Sequence, residues 1–161
     1  MNKKTIIASG VISTILFVLA NPANLHAQEG DAADLLSIIA AVEQGWQQAD
    51  GTPFREHYLD FDGARYIESG GQNVGLRNLI EHHVKPEGDA LDSLELEFSN
   101  IDTHIEGDFA WAIADVEVEA VIKRDKREIH NRGFETFLFR RIDGKWLIIH
   151  THSSSRPVGN Q

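Results

Sequence analysis

Apolar residues in the first half of the chain recur every three or four positions, and from Leu94 onward they alternate with polar ones. Leu35, Ile38, Ile39, Val42 and Trp46 lie on one helical stripe, which predicts a helix over 34–48 with Asp31 or Asp34 placed to cap its start. Asp50-Gly51-Thr52-Pro53 ends it, and Pro53 opens a short second helix over 54–59. A short strand over 64–68 and a Ser69-Gly70-Gly71 turn follow. Leu76, Leu79, Ile80 and His83 then share one face of a third helix that stops near Pro86. Beyond it Leu94, Leu96 and Phe98 alternate with Glu95 and Glu97, the period-two signature of a half-buried strand. Gly107-Asp108 turns the chain into a long strand over 109–122. Lys123 to Lys126 make a charged hairpin tip, 128–141 form the next strand, and Asp143-Gly144 lead into a last strand over 146–154. Residues 155–161 read as a loose tail. Helices first and antiparallel strands after define an α+β domain in which a curved sheet wraps a helical layer.

The first 27 residues read as a leader rather than as part of that domain. Lys3 and Lys4 precede an apolar stretch over 5–20, Asn21-Pro22 breaks it, and Leu25-His26-Ala27 offers a cleavage site ending in a small residue. The expectation is a secretory signal peptide over 1–27, a single domain over 28–154 and a periplasmic or secreted product. The chain has no cysteine, so the exported domain relies on no disulfide and has no thiol for lipid attachment. Removing the leader takes away Lys3 and Lys4 and no acid, which moves the formal charge from −10 to −12. Such a surface argues against nucleic acid or an anionic membrane as partner. No later apolar stretch reaches the roughly 18 residues of a membrane span.

The helix ending Trp46-Gln47-Gln48-Ala49-Asp50, the Val74-Gly75-Leu76 lead into the third helix, Gly107-Asp108-Phe109-Ala110-Trp111, and Glu135-Thr136 running on to Arg141-Ile142-Asp143-Gly144-Lys145-Trp146 together resemble the nuclear transport factor 2-like superfamily. That family includes ketosteroid isomerase, scytalone dehydratase and the SnoaL-like polyketide cyclases. The ending Ile149-His150-Thr151-His152-Ser153 is similar to the association domain of calcium/calmodulin-dependent kinase II. The resemblance spans residues 34–154. It implies a cone-shaped antiparallel sheet around N-terminal helices, a pocket between the concave face and the helices, and a homodimer or higher homo-oligomer. It does not imply one activity, because the fold hosts isomerases, dehydratases, cyclases, binding domains and assembly hubs.

Which side chains enter such a pocket depends on strand parity. A two-residue Asp143-Gly144 turn sets Glu135 opposite His152 and Phe137 opposite His150. A three-residue loop with Gly144 as a bulge sets Glu135 opposite Thr151 and Phe137 opposite Ile149. Under the second, which the kinase-hub resemblance favours, Glu135, Phe137, Ile149, Thr151 and Ser153 share the pocket face and His150 and His152 face outward. On the strand 109–122, Trp111, Ile113, Asp115, Glu117 and Glu119 share one face, either solvated or lining a polar cavity. Ala112, Ala114, Val116, Val118 and Ala120 share the other, suited to close packing against a layer or a subunit. The kinase-hub resemblance implies a pocket arginine where this chain has Glu117, and the reversed charge argues against an anionic ligand.

Isomerase-like chemistry needs a carboxylate base beside a C–H bond and a donor for the developing oxyanion. Asp115, Glu117 and Glu135 are candidate bases, Tyr66, Trp111 and His83 candidate donors, and Tyr58 is the second of two tyrosines. A pocket rimmed by Tyr66, His83, Trp111, Asp115, Glu117 and Glu135, with Phe137, Thr151, His150 and His152 contributing, is expected to hold a small, largely apolar molecule. The chemistry expected there is cofactor-free isomerisation or dehydration. A binding or assembly domain is the alternative, and His83 with His150 or His152 and Glu135 would give a mixed metal-ligand set. No Gly-rich phosphate loop or Ser-His-Asp order is present.

Overall fold

The computed structural model describes residues 22–159. Most of the predicted leader lies outside the described residues, as do Asn160 and Gln161 of the predicted tail. Helix α1 (Pro22–Gln47) is followed by α2 (Thr52–His57), strands β1 (Arg65–Glu68) and β2 (Gly71–Val74), and a third helical stretch. That stretch is α3 (Leu76–Leu79), one wide π turn (Ile80–Val84) and α4 (Lys85–Ala90). Four long strands complete the chain: β3 (Leu91–Glu106), β4 (Phe109–Ile122), β5 (Glu128–Ile142) and β6 (Lys145–Pro157). They form one six-stranded sheet in the order β2-β1-β6-β5-β4-β3. The pairing is antiparallel except for β1 beside β6.

Several elements depart from the sequence reading for local reasons. Asp31 caps nothing. It lies inside α1 and accepts from the Arg141 guanidinium and from Trp146 Nε1 at 3.2 Å, with Arg141 stacked 4.3 Å over the Trp146 ring. The third helical stretch runs through Pro86 to Ala90 because the π turn and the α4 start absorb a residue without an N–H. Ser155 to Pro157 are strand, paired with β5.

The concave face holds the core. Leu35, Ile39 and Val42 of α1 pack with Leu79, Ile80 and Val84 against Ala110, Ala112, Ala114, Phe137, Phe139 and Ile148. The alanines of β4 are buried beneath the helical layer, and α1 lies closest to β3. β3 is the edge strand, and α1 covers part of its open backbone: Gln47 Nε2 donates to Leu96 O at 3.0 Å, and Phe98 N–H donates to Glu43 Oε2 at 2.7 Å.

Two bulges change strand parity. In β3 the pairing moves from Ser99↔Asp115 to Asp102↔Ile113, so Leu94, Leu96 and Phe98 face inward before Asn100, and Ile101 and Ile105 after it. In the last hairpin the turn is the two-residue form. Ile142 pairs with Lys145, and Asp143 and Gly144 both have positive φ, 50° and 79°. Phe139 then pairs with Ile148 but Leu138 with His150, leaving Ile149 as an extra residue in β6. Glu135 therefore stands opposite Ser153, which neither predicted register gives.

Past the bulge, β5 and β6 approach closely at Gly133. A methyl group there would sit 1.8 Å from Ser154 O, a backbone atom that cannot swing aside. Gly133→Ala is expected to destabilise the domain by about 3 kcal/mol or to shift the end of the hairpin, read by urea denaturation and by the amide signals of 153–156.

Candidate functional site

Between the helical layer and the concave face lies a cavity of about 280 Å³. Its apolar wall is Trp46 from α1, Leu94, Leu96 and Phe98 from β3, and Val116 and Val118 from β4. Its polar wall is Glu68 at the end of β1 and Ser69 just beyond it, Glu87 from α4, Asn131 and Glu135 from β5, and Thr151, Ser153 and Ser155 from β6. The parity changes in β3 and β6 supply both walls.

Glu135 is 8% exposed and has no ion-pair partner among the described residues. Burial pushes its carboxyl up from an ordinary 4.5 to about 8. The Ser153 and Thr151 hydroxyls bond to it and oppose the shift, and the charge of Glu68 adds to it. Tyr58 is also buried, which pushes its phenol well above 10, with Glu135, Tyr66 and Glu68 adding to the shift. The Thr151 hydroxyl bonds both Tyr58 and Glu135. It has a single proton, so when it donates to the Glu135 carboxylate it accepts from Tyr58.

A second polar group lies at the other end of the wall. His83 Nε2 is 3.2 Å from Glu68 Oε2 and 3.4 Å from Glu87 Oε1, and its Nδ1 is 2.8 Å from Asn73 Nδ2. With the Asn73 amide N–H donating to Nδ1, the proton of neutral His83 sits on Nε2, toward the carboxylates. A second proton on Nδ1 requires the amide to turn its oxygen toward the ring. The hydrogen bond to Glu87 raises the His83 pKa, burial opposes this, and the charges of Glu68 and Glu87 support it. Burial raises Glu68, His83 offsets part of that shift, and Glu87 adds to it.

The predicted site residues divide into three groups. Glu135 and Thr151 line the cavity. Phe137, Tyr66 and His83 stand behind its wall. Phe137 packs in the core against Phe98. Tyr66 is 1% exposed with its hydroxyl unpartnered, and burial holds that phenol at about 12. Trp111, Asp115, Glu117, His150 and His152 lie on the outer face, because β4 keeps even-numbered residues inward along its whole length and the Ile149 bulge turns both histidines out. Trp111 stacks on His104 with ring centroids 4.9 Å apart, and Asp115 accepts from Asn100. Glu117 pairs with Arg132 and His130, and His150 Nδ1 donates to Arg65 O at 2.7 Å. The expected metal set is thus split, with His83 inside and His150 and His152 outside. Glu117, Glu119 and His130 have metal-like spacing on the outer face, but Arg132 already occupies Glu117.

Sequence reasoning passed over Tyr58, Trp46, Asn73, Glu68 and Glu87 as site residues. Glu68 was legible, since it shares a strand face with Tyr66 two residues earlier. Glu87 was hidden by ending the helix at Pro86. A larger concavity of about 750 Å³ opens on the outer face around Asp115, Arg132, Phe134 and Arg156. It is shallower, and its charged groups are solvated or paired with one another. The inner cavity holds the desolvated acids and is the better candidate.

The chain belongs to the SnoaL-like domain family, whose model matches residues 27–159. Solved structures agree on the fold. A nuclear transport factor 2-like superfamily protein from Salmonella enterica serovar Typhimurium superposes with a TM-score of 0.71 at 20% identity, over 80% of this chain and 92% of that one. A hexachlorocyclohexane dehydrochlorinase, LinA type 2, does so with 0.69 at 15%, over 83% and 93%. A cystatin-like protein from Caulobacter vibrioides gives 0.63 at 17%, over 78% and 89%. No curated protein matches the chain significantly.

Glu135, Glu68 and His83 are all raised in the folded state, so each contributes stability at low pH that is lost as pH rises through its folded value. For Glu135 the window runs from about 4.5 to about 8. Glu135→Gln is expected to flatten the fall in stability across that window. It should be more stable than the parent above about pH 8, as read by urea denaturation across the range.

Proposed function

We propose that this is an exported SnoaL-like domain that binds a small, largely apolar molecule in the inner cavity and moves a proton on it without a cofactor, as an isomerase or lyase. The observation that carries this reading is Glu135, a nine-tenths-buried carboxyl facing an apolar wall with hydroxyl partners and no cation. At neutral pH such a group is mostly protonated and acts as a general acid toward a ligand oxygen or leaving group. Glu68, kept more acidic by His83, is the partner base. His83 acts through Glu68 and Glu87 rather than on the ligand. The Tyr58–Thr151 pair holds Glu135 in place.

Chain assembly through the outer sheet face is a second reading, favoured by Phe134 and Ile113, which stand 59% and 44% exposed there. It is compatible with the first as a homodimer and becomes the main function if the cavity is inert. The leader with Lys3 and Lys4 supports export.

The test is a panel of β-hydroxy ketones and β,γ-unsaturated ketones, followed by the absorbance of the conjugated enone. The reading expects turnover that falls as pH rises through about 8, the sign of an acid that must be protonated. Glu135→Gln should lower the rate by roughly 10²–10⁴ with ligand binding kept. Binding without turnover in either protein would instead make this a carrier or assembly domain.

A further inference from the structure

The charges around the cavity do not balance. Three carboxylates, Glu68, Glu87 and Glu135, line it, and no lysine, arginine or histidine does. The nearby imidazole, His83, stands behind Glu68 and Glu87 and faces both. Two carboxyl groups thus share one histidine ring as their basic neighbour among the described residues. Glu135, nine-tenths buried among hydroxyls, keeps its proton and leaves the charge of the cavity to Glu68 and Glu87 at its other end. At the same end Trp46, whose ring meets the His83 ring at 5.1 Å, presents an indole, the side chain that best attracts a cation, and Leu94, Leu96 and Phe98 offer apolar contact beyond it.

We infer that the cavity selects a small molecule with an apolar, ring-sized body and one positive centre, a protonated amine, held between the Glu68 and Glu87 carboxylates and Trp46. This rests on the inner cavity being the binding site. The amine sits at the Glu68–Glu87 end and the apolar body lies along β3 and β4. That leaves Glu135 free to exchange a proton with the far side of the ligand, and for such a ligand Glu68 is an anchor for the amine rather than the partner base. Neutral ligands of the same shape lose the ionic contact, and anionic ones meet carboxylates.

The test uses three probes of one scaffold, 2-phenylethylamine, 2-phenylethanol and 3-phenylpropionate, titrated at neutral pH into the isotope-labelled chain and followed by amide signals. The amine is expected to bind at least about tenfold tighter than the alcohol, with shifts centred on Trp46, Ser69, Thr151 and Ser153. The combined Glu68→Gln and Glu87→Gln variant should bring the amine down to the alcohol's affinity. Alcohol binding retained in that variant shows that it is still folded. Equal binding of amine and alcohol in the cavity, a preference for the propionate, or a variant that keeps the amine preference would overturn the charge assignment and leave the binding site standing. So would amine shifts centred on Glu95, Glu97 and Glu119 in place of the cavity. If none of the three probes moves cavity signals, the binding site itself is wrong and the charge assignment falls with it.

Discussion

Successive side chains on a strand point to opposite faces, so one extra residue exchanges everything beyond it. Ile149 is that residue in β6. Before it, Trp146 and Ile148 face the core; after it, Thr151, Ser153 and Ser155 do. Without the bulge His150 and His152 would enter the cavity and the hydroxyls would face solvent. The bulge at Asn100 acts in the same way on β3, ending the inward run of Leu94, Leu96 and Phe98 and placing Ile101 and Ile105 in the core. The unbulged β4 between them keeps one parity throughout, so its alanines face the core and its valines meet the cavity.

The polar wall follows from this arrangement. Glu135 is opposite Ser153 and beside Thr151, so its partners are neutral hydroxyls rather than imidazoles. Hydroxyls satisfy a protonated carboxyl well and stabilise an ionised one only in part, so burial dominates and the proton stays on. A histidine at the same place would have pulled the proton off. The histidine that does reach this region, His83, is supplied by a helix and is engaged by Glu68, Glu87 and Asn73. The cavity therefore contains a neutral acid at one end and an ion-paired carboxylate group at the other, and that asymmetry is what proton transfer requires.

The period of the apolar positions was enough to place most helices and all four long strands, because a stripe of Leu35, Ile38, Ile39 and Val42 or an alternation through Leu94, Leu96 and Phe98 has one low-energy reading. The SnoaL-like fold was legible through the family resemblance of segments such as Gly107-Asp108-Phe109-Ala110-Trp111 and Asp143-Gly144-Lys145-Trp146. The site was legible only in part. Glu135 and Thr151 were found, while Trp111, Asp115 and Glu117 were assigned inward on a strand whose even-numbered residues take that face. Parity on a single strand is symmetric until something fixes it, and here it is fixed by the core that buries Ala110, Ala112 and Ala114. The Ile149 bulge leaves no trace in composition, since Ile149 and Ile148 are the same residue type. Glu87 was lost to a rule that is sound for an α-helix interior, which a π turn circumvents at Pro86.

The most direct measurement is a carboxyl-carbon NMR titration of the chain labelled at glutamate, with Glu135→Gln used to assign the signal. A buried neutral acid gives a Glu135 carbon that titrates at about 8 and still reads as protonated at neutral pH. A signal that ionises near 4.5, with the surface glutamates, would mean that the carboxyl is solvated and that the inner cavity holds no acid for the chemistry proposed.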